Sequence, residues 1–200
     1  MSQGWLLAIE GIDGAGKTTQ AQLLARALES IGHHVLLTKE PTDGPHGQKI
    51  RALSTSGAQI DLEQELQYFI DDRREHIDEC VAPALARGEV VITDRYFYSN
   101  VAYQGARGLD PDEILLRNEA LFPTPAAVLL IVVSAKEGLR RVTARGGELN
   151  RAYERSDFLE AAGLVFAGID RPNVHRIDGE QTPEAVHAEV RAALANLFDL

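Results

Sequence analysis

The chain has 200 residues, of which 44% are hydrophobic and 25% charged, and its formal net charge is −10. This length and composition fit one globular domain with a sizeable core, and we expect residues 1–200 to form a single domain. The acidic balance argues against a protein that coats nucleic acid, because such proteins collect phosphates with broad basic surfaces. No apolar run is long enough to cross a bilayer and nothing resembles a signal peptide. We therefore expect a cytoplasmic protein with no membrane or nucleic-acid partner.

Cysteine and histidine give no sign of redox or metal chemistry. The single cysteine, Cys80, cannot form an internal disulfide, and it falls in a helical stretch. We expect a buried structural thiol there rather than a reactive one. The spacing of His33, His34 and His46 matches no metal-binding pattern.

Short apolar runs alternate with longer helical patterns along the chain. The predicted strands cover residues 5–9, 35–38, 90–93, 127–133 and 174–177, and most are continuous runs of Val, Ile and Leu. Such runs are typical of strands that are covered on both faces in a parallel sheet. The predicted helices cover 17–31, 62–87, 112–121, 136–145, 156–169 and 183–197. We therefore expect an α/β fold with a five-stranded parallel sheet and helices on both faces.

A glycine-rich loop follows the first predicted strand. Residues 11–18 match the phosphate-binding template G-x-x-x-x-G-K-[ST] at every fixed position. A strand, a glycine loop and a helix in this order direct backbone N–H groups and a helix N-terminus at a polyphosphate. Lys17 then reaches the terminal phosphates and Thr18 a magnesium ion. The predicted ATP-binding residues are Gly11, Ile12, Asp13, Gly14, Ala15, Gly16, Lys17, Thr18 and Thr19.

A second charged motif, Asp94-Arg95-Tyr96, directly follows the predicted strand 90–93. In an open α/β sheet, ligands bind at the carboxyl ends of the strands. An ordinary surface ion pair is the plain alternative for an acid and a base at a strand end. Together with the phosphate loop, the pair favours a second anion site in a P-loop protein of the nucleotide kinase type.

The order of these motifs resembles that of the thymidylate kinases. The matching residues are Glu10-Gly11-Ile12-Asp13-Gly14-Ala15-Gly16-Lys17-Thr18-Thr19-Gln20, Glu40-Pro41, Asp72-Arg73 with His76, Pro83-Ala84-Leu85, Asp94-Arg95-Tyr96, Ser99 and Ala102-Tyr103-Gln104-Gly105. Other nucleoside monophosphate kinases share the phosphate loop and the Asp-Arg pair, whereas the last three motifs are more particular to this family. The resemblance implies transfer of the γ-phosphoryl group of ATP to thymidine 5′-monophosphate (dTMP), for dTTP synthesis, with Mg²⁺ and in a homodimer.

The resemblance implies catalytic roles for four residues. Lys17 serves the donor phosphates, together with a magnesium ion that we assign to Thr18 and Asp94. Arg95 serves the acceptor phosphate, and Asp13 accepts a hydrogen bond from the 3′-hydroxyl of the acceptor. The fourth residue, Arg151, belongs to the lid described below.

The same resemblance assigns residues to the acceptor nucleoside. Phe69 stacks on thymine and Arg73, four residues further along one helical face, reaches a base carbonyl or the phosphate. Tyr103 lies against the sugar carbon that carries the 2′-hydroxyl of a ribonucleotide. The remaining predicted contacts are Glu40, Asn100 and Gln104, and for the last two a surface-loop hydrogen bond fits nearly as well.

Members of the family differ in where the catalytic arginine stands, either in the phosphate loop or in a lid. Gly14 occupies the loop position in this chain, which implies a mobile, arginine-containing lid at about residues 145–155. The candidates are Arg145, Arg151 and Arg155. Arg151 is preferred because it follows Leu149-Asn150, which matches the Leu-Asp pair of bacterial lids. An extra glycine in this segment leaves the register open.

Two alternative functions remain open at this stage. The chain could be a kinase for another nucleoside monophosphate, although Phe69, Arg73 and Tyr103 argue for thymidylate. It could also be a nucleotide-binding regulatory protein without turnover. Such a protein has no need of the Asp94-Arg95 pair or of an arginine-rich lid.

Overall fold

The protein is built around one parallel sheet of five strands. The structure, a computed structural model, describes residues 4–56, 60–144 and 156–200. The strands are β1 (Trp5–Glu10), β2 (Val35–Lys39), β3 (Val90–Asp94), β4 (Ala127–Val132) and β5 (Val174–Asp178), and their order in the sheet is β2-β3-β1-β4-β5. The central strands β3, β1 and β4 are almost entirely buried. The predicted α/β fold is therefore confirmed.

Helices occupy most of the connections between the strands. They are α1 (Lys17–Ser30), α2 (Pro45–Ser56), α3 (Leu62–His76), α4 (Ala82–Ala86), α5 (Phe97–Gly105), α6 (Pro111–Leu121), α7 (Ala135–Ala144), α8 (Ser156–Gly168) and α9 (Pro183–Ala193). Helix α1 packs against α9, whereas α5 packs against α6, α8 and α3. Parallel connections are right-handed, and those leaving β1 and β3 run in opposite directions along the sheet, so α1 and α5 lie on opposite faces. None of the described helices is long and apolar enough to span a membrane.

The helices differ from prediction in three places. The predicted helix 62–87 is α3, a π-helical segment (Ile77–Val81) and α4 in succession. Helix α5 was not predicted because it is buried on nearly every side, which leaves no apolar stripe of helical period. Helix α2 was not predicted either, since it buries only Gly47 and Ile50.

Two further expectations concern the π-helical segment and the lid. Cys80, in the π-helical segment, is partly exposed and lines a surface groove beside Asp94, so the expectation of a buried thiol is wrong. The sequence prediction assumed one continuous α-helix here and did not anticipate the π-helical segment in which Cys80 lies. The predicted lid, residues 145–155, lies outside the described residues.

The carboxyl ends of β1 and β3 lie side by side at one edge of the sheet. Ile9 of β1 is in register with Asp94 of β3, and the Arg95 N–H donates to the Ile9 carbonyl at 3.0 Å. The chain leaves these strands toward opposite faces, which opens a crevice between them. The phosphate loop and the Asp94-Arg95 motif are thereby neighbours.

The phosphate loop packs tightly against the first turn of α7. Gly14 has a φ of +82°, and a Cβ atom there would lie 2.1 Å from the Gly138 carbonyl oxygen. A Cβ atom on Gly138 would in turn lie 2.5 Å from the Asp13 carbonyl oxygen. Both glycines are therefore required for this backbone contact, because real Cβ atoms do not approach a backbone oxygen so closely.

Replacing Gly138 by alanine should disturb the phosphate loop. Gly138→Ala should lower the free energy of unfolding by about 1–3 kcal/mol through overpacking, and should weaken ATP binding. The matched control is Gly163→Ala in α8, where a Cβ atom meets nothing within 4 Å. That variant should be neutral or stabilised by up to about 1 kcal/mol through helix propensity. Denaturant unfolding measures both changes, and similar values for the two variants would contradict the tight contact.

Candidate active site

The phosphate loop has the backbone geometry of an anion cradle. Gly11, Gly14 and Gly16 all have positive φ values, and Gly16 immediately precedes α1. The Lys17 ammonium lies inside the loop and donates to the Ile12 carbonyl at 2.8 Å. Burial lowers the pKa of Lys17 to about 8, with the charge of Arg95 acting in the same direction. Asp13, Asp94 and Glu10 act in the opposite direction, and a bound polyphosphate would add further negative charge that favours the ammonium form.

A candidate magnesium position lies where the phosphate loop meets β3. The Thr18 hydroxyl donates to Asp94 Oδ2 at 2.5 Å, so the two predicted metal ligands are in direct contact. Mg²⁺ in kinases is usually bound through one or two protein oxygens together with substrate phosphates and water. These two oxygen ligands, beside the loop that receives the phosphates, fit that pattern.

A donor cleft of about 390 Å³ extends from the loop along α1 and α7. Its lining includes Gly14 and Gly16 from the loop, Thr19 from α1, Arg140 and Arg141 from α7, Gln181, and Pro183 at the start of α9. The two arginines were not predicted as site residues. Two adjacent arginines on a helix after β4 were the sequence signal that could have pointed to a site. Both bind Glu137, however, and such ion pairs are common on protein surfaces.

Arg95 is the basic residue at the centre of the site. Its backbone has a φ of 74°, the only positive value at a non-glycine residue in the described chain. Its Nη1 atom donates to the Gly11 carbonyl at 3.3 Å and to the Ser99 hydroxyl at 2.9 Å. Its Nη2 atom donates to Asp13 and, at 3.3 Å, to the Tyr103 hydroxyl. Arg95 therefore connects the donor loop to α5.

Asp13 and Tyr103 form a closed pair beside Arg95. The Tyr103 hydroxyl donates to Asp13 Oδ2 at 3.0 Å and accepts the Asp13 backbone N–H at 3.1 Å. Burial favours a protonated Asp13, but the charges of Arg95 and Lys17 outweigh that effect, and the pKa of Asp13 lies below its usual value. Asp13 is thus a carboxylate that can accept a hydrogen bond from a ligand.

An acceptor cleft of about 240 Å³ opens on the other side of Arg95. It is lined by Asp13, Pro41, Ile50, Arg51, Ser54, Phe69, Arg95, Ser99, Asn100, Tyr103 and Gln104. Six predicted substrate or catalytic residues therefore meet in one cleft, namely Asp13, Phe69, Arg95, Asn100, Tyr103 and Gln104. Two predicted residues, Glu40 and Arg73, are absent from this lining.

Glu40 and Arg73 form a buried ion pair behind the cleft. Arg73 donates to Glu40 from Nε at 2.9 Å and from Nη2 at 2.7 Å, and its side chain is only 2% exposed. His76 contacts the second Glu40 oxygen at 3.0 Å. The guanidinium also donates to Asn118 and Asn100. Sequence spacing correctly placed Phe69 and Arg73 on α3, but it could not show that Arg73 lies at a greater depth.

The amide groups of Asn100 and Gln104 have their orientation set from both ends of a hydrogen-bond chain. Asn100 Oδ1 accepts from Arg73 and its Nδ2 donates to Gln104 Oε1 at 3.2 Å. Gln104 Nε2 then donates to Glu65 at 2.9 Å. Arginine only donates and a carboxylate only accepts, so each amide in this series of hydrogen bonds can have only one orientation. Both predicted residues belong to buried α5, and a surface-loop role for them is wrong.

Arg51 is the cleft residue of most chemical interest that the sequence analysis missed. It lies on α2, where its Nη1 donates to the Pro41 carbonyl at 3.2 Å and its Nη2 lies 3.1 Å from Asp43. Its side chain is 40% exposed and lines the cleft. A basic residue on an unpredicted helix left no spacing signal that could place it opposite Arg95.

Comparison with known proteins identifies the family. A sequence model described as thymidylate kinase matches residues 9–190. The chain belongs to the thymidylate kinase family. It is 48% identical over 197 residues to a thymidylate kinase of Xanthomonas euvesicatoria, covering 96% of this chain and 86% of the relative. It is 41% identical to a thymidylate kinase of Desulfotalea psychrophila, covering 98% and 97%. Membership makes the protein a kinase and does not favour either alternative function.

Removing Arg73 should cost more stability than removing an exposed arginine. Arg73→Met should lower the free energy of unfolding by about 3–5 kcal/mol, because Glu40 would remain buried without its partner. Arg117→Met is the control, since Arg117 pairs with Glu63 at 3.3 Å on an exposed surface. That change should stay within about 1 kcal/mol of the parent. Equal losses in urea unfolding would contradict the assignment of Arg73 to the buried framework.

Proposed function

We propose that the protein transfers the γ-phosphoryl group of ATP to dTMP, as a magnesium-dependent step of dTTP synthesis. The observation that carries this proposal is the position of Arg95 between the two clefts. Its guanidinium binds Asp13 and Gly11 of the donor loop while lining the acceptor cleft. Phosphoryl transfer needs two repelling anions held in line rather than covalent help from the protein.

The donor side of the proposal rests on the phosphate loop. The amides of residues 11–19 receive the phosphates of ATP, and the Lys17 ammonium exchanges the Ile12 carbonyl for phosphate oxygens. Thr18 and Asp94 would hold Mg²⁺, which neutralises charge on the β- and γ-phosphates when bound. Arg140 and Arg141 stand along the donor cleft for the rest of the nucleotide.

The acceptor phosphate is assigned to Arg95, with Arg51 facing it from α2. Every Nη hydrogen of Arg95 already has a partner in this structure, so a phosphate must replace at least one contact. The contacts with the Gly11 carbonyl and the Tyr103 hydroxyl, both 3.3 Å, are the longest and the first to exchange. Asp13 then keeps an oxygen for the 3′-hydroxyl of the sugar.

The base is assigned to the part of the cleft between Phe69 and α5. Phe69 offers a ring face for stacking on thymine. The Asn100 and Gln104 amides, with their fixed orientation, face a base edge that carries one N–H between two carbonyls. Arg73 acts on the base through Asn100, whose Oδ1 it holds, and Glu40 acts through Arg73. A direct contact from Arg73 to a base carbonyl stays a prediction.

Three further parts of the proposal concern the chain as a whole. We propose that residues 1–200 form one thymidylate-kinase-like domain, that the protein is cytoplasmic, and that it is a homodimer, all by analogy with the resembling enzymes. Light scattering of the purified protein would give the mass directly. A monomer at all concentrations would remove the dimer from the proposal.

An acceptor panel tests the assignment of substrate. With ATP and magnesium, dTMP should be phosphorylated faster than CMP, AMP or UMP, because the acceptor cleft combines Phe69 with the oriented Asn100 and Gln104 amides. Lys17→Ala should raise the activation free energy by at least about 3 kcal/mol, and so lower turnover by orders of magnitude, because a positioned cation is lost. A coupled assay for ADP measures both. Turnover of CMP or AMP equal to that of dTMP would overturn the substrate assignment.

Tyr103 should exclude ribonucleotides through the space its ring fills. Tyr103→Ala should relax the preference for deoxynucleotide acceptors, whereas Tyr103→Phe keeps the ring and should keep the preference. The ratio of kcat/KM for dTMP to that for the ribonucleotide measures this effect. If the alanine variant keeps the parental ratio, another group performs the selection.

Arg151 is proposed as the arginine that stabilises the transferred phosphoryl group. Gly14 leaves the phosphate loop without an arginine, and an arginine supplied on closure can be worth orders of magnitude in rate. Alanine should replace Arg151, Arg145 and Arg155 one at a time. The Arg151 variant should show the largest fall in kcat, and the affinities for ATP and dTMP should stay within a few-fold of the parent in all three. Near-parental kcat in all three variants would exclude these arginines from catalysis.

A further inference from the structure

The backbone at Arg95 has an unfavourable conformation that the surrounding structure must hold. A non-glycine residue with a positive φ, here 74°, is uncommon and costs on the order of 1–3 kcal/mol. The Thr93 hydroxyl donates to the Arg95 carbonyl at 2.7 Å, and the Arg95 N–H donates to Ile9 at 3.0 Å. These bonds hold Arg95 from one side. The other side is held by a residue that no part of the mechanism has used.

That residue is Glu10, the last residue of β1. Its side chain is fully buried, and one carboxylate oxygen accepts the backbone N–H groups of Tyr96 at 2.8 Å and Ser99 at 3.1 Å. The other oxygen accepts the Ser99 hydroxyl at 2.6 Å. Burial raises the pKa of Glu10 to about 7, against the hydrogen bond from Ser99 and the charge of Arg95. A carboxylate kept at such a desolvation cost needs a compensating role.

The Ser99 hydroxyl transmits the orientation of Glu10 to Arg95. A serine hydroxyl has one hydrogen and two lone pairs. Its hydrogen is directed at Glu10, which leaves a lone pair for Arg95 Nη1 at 2.9 Å. Arginine only donates, so the Ser99 oxygen accepts from Arg95 and the serine hydrogen is left for Glu10. Glu10 therefore contacts the peptide N–H that directly follows Arg95 and the hydroxyl that binds the Arg95 guanidinium.

We propose that Glu10 is a positioning residue for acceptor binding, acting on the Arg95 guanidinium through the Ser99 hydroxyl and the turn at Tyr96. The inference rests on the proposed function, in which Arg95 binds the acceptor phosphate. Glu10 also immediately precedes the phosphate loop. One buried carboxylate thus fixes the acceptor arginine relative to the strand from which the donor loop begins.

A double-mutant cycle tests this inference in the full-length protein. Glu10→Gln keeps an oxygen for the two backbone N–H groups and replaces the acceptor that faces Ser99 with a donor. Ser99→Ala removes the hydroxyl. Each change should weaken dTMP binding by about tenfold, with ATP binding changed less than about twofold, as titration calorimetry measures. The loss of dTMP affinity in the double variant should not exceed that of the larger single change, because both substitutions break the same connection from Glu10 to Arg95.

Controls separate positioning from general damage. Glu119 pairs with Arg171 at 2.8 Å, so Glu119→Gln also removes a carboxylate from an arginine. This variant should leave the affinities for ATP and dTMP unchanged. Ser99→Thr keeps the hydroxyl and should restore dTMP affinity to within about twofold of the parent. Ser99→Ala and Ser99→Thr carry the test on their own if Glu10→Gln does not fold. Equal dTMP affinity in these two variants would overturn the inference.

The remaining outcomes distinguish the inference from the proposed function. If the fold loss in dTMP affinity of the double variant equals the product of the two single losses, Glu10 does not act through Ser99. The same conclusion follows if Glu10→Gln loses ATP and dTMP affinity equally. Parental dTMP affinity in Glu10→Gln, with strong loss in Arg95→Ala, would overturn the role of Glu10 and leave that of Arg95 intact. Parental dTMP affinity in Arg95→Ala would instead overturn the proposed acceptor site.

Discussion

The ion pair between Arg95 and Asp13 joins the two halves of the active site. Asp13 belongs to the phosphate loop after β1, and Arg95 follows β3, so the pair connects the carboxyl ends of adjacent strands. A chain with a net charge of −10 offers little general attraction for two anionic substrates. Its cations must therefore converge, and the strand order that places β1 beside β3 achieves this for Lys17 and Arg95. The fold supplies locally the positive potential that the composition lacks.

The acceptor cleft depends in turn on a buried polar framework behind it. Glu40, Arg73, Asn100 and Gln104 are hydrogen-bonded in sequence, and the series continues through Glu65 to Arg107. Buried ion pairs contribute little net stability, because desolvation offsets their attraction, but an unpaired member is costly. What the framework provides is a fixed direction for the two amides that line the cleft. In the proposed function, base selection would rest on this network rather than on one contact.

The sequence predicted the sheet and the position of the glycine loop well, because both depend on local patterns. Continuous apolar runs identify buried parallel strands, and the glycine and lysine spacing of the loop is set by the phosphate it receives. The acceptor side depends on packing depth, which spacing does not encode. Phe69 and Arg73 share a helical face, yet only Phe69 lines the cleft. Arg51 was missed because α2 has a weak apolar pattern. Glu10 stands in the motif that matches the family, but the motif does not show which groups its buried side chain contacts.

The contact between Gly14 and Gly138 gives a structural reason for placing the catalytic arginine elsewhere. An arginine at position 14 would need a Cβ atom within 2.1 Å of a backbone oxygen and a positive φ of 82°, both unfavourable for any side chain. The phosphate loop and α7 can approach this closely only with glycine on each side. Helix α7 ends at Ala144, which lines the donor cleft. The helix that disfavours an arginine in the loop is therefore the same helix whose last residue lines the donor cleft.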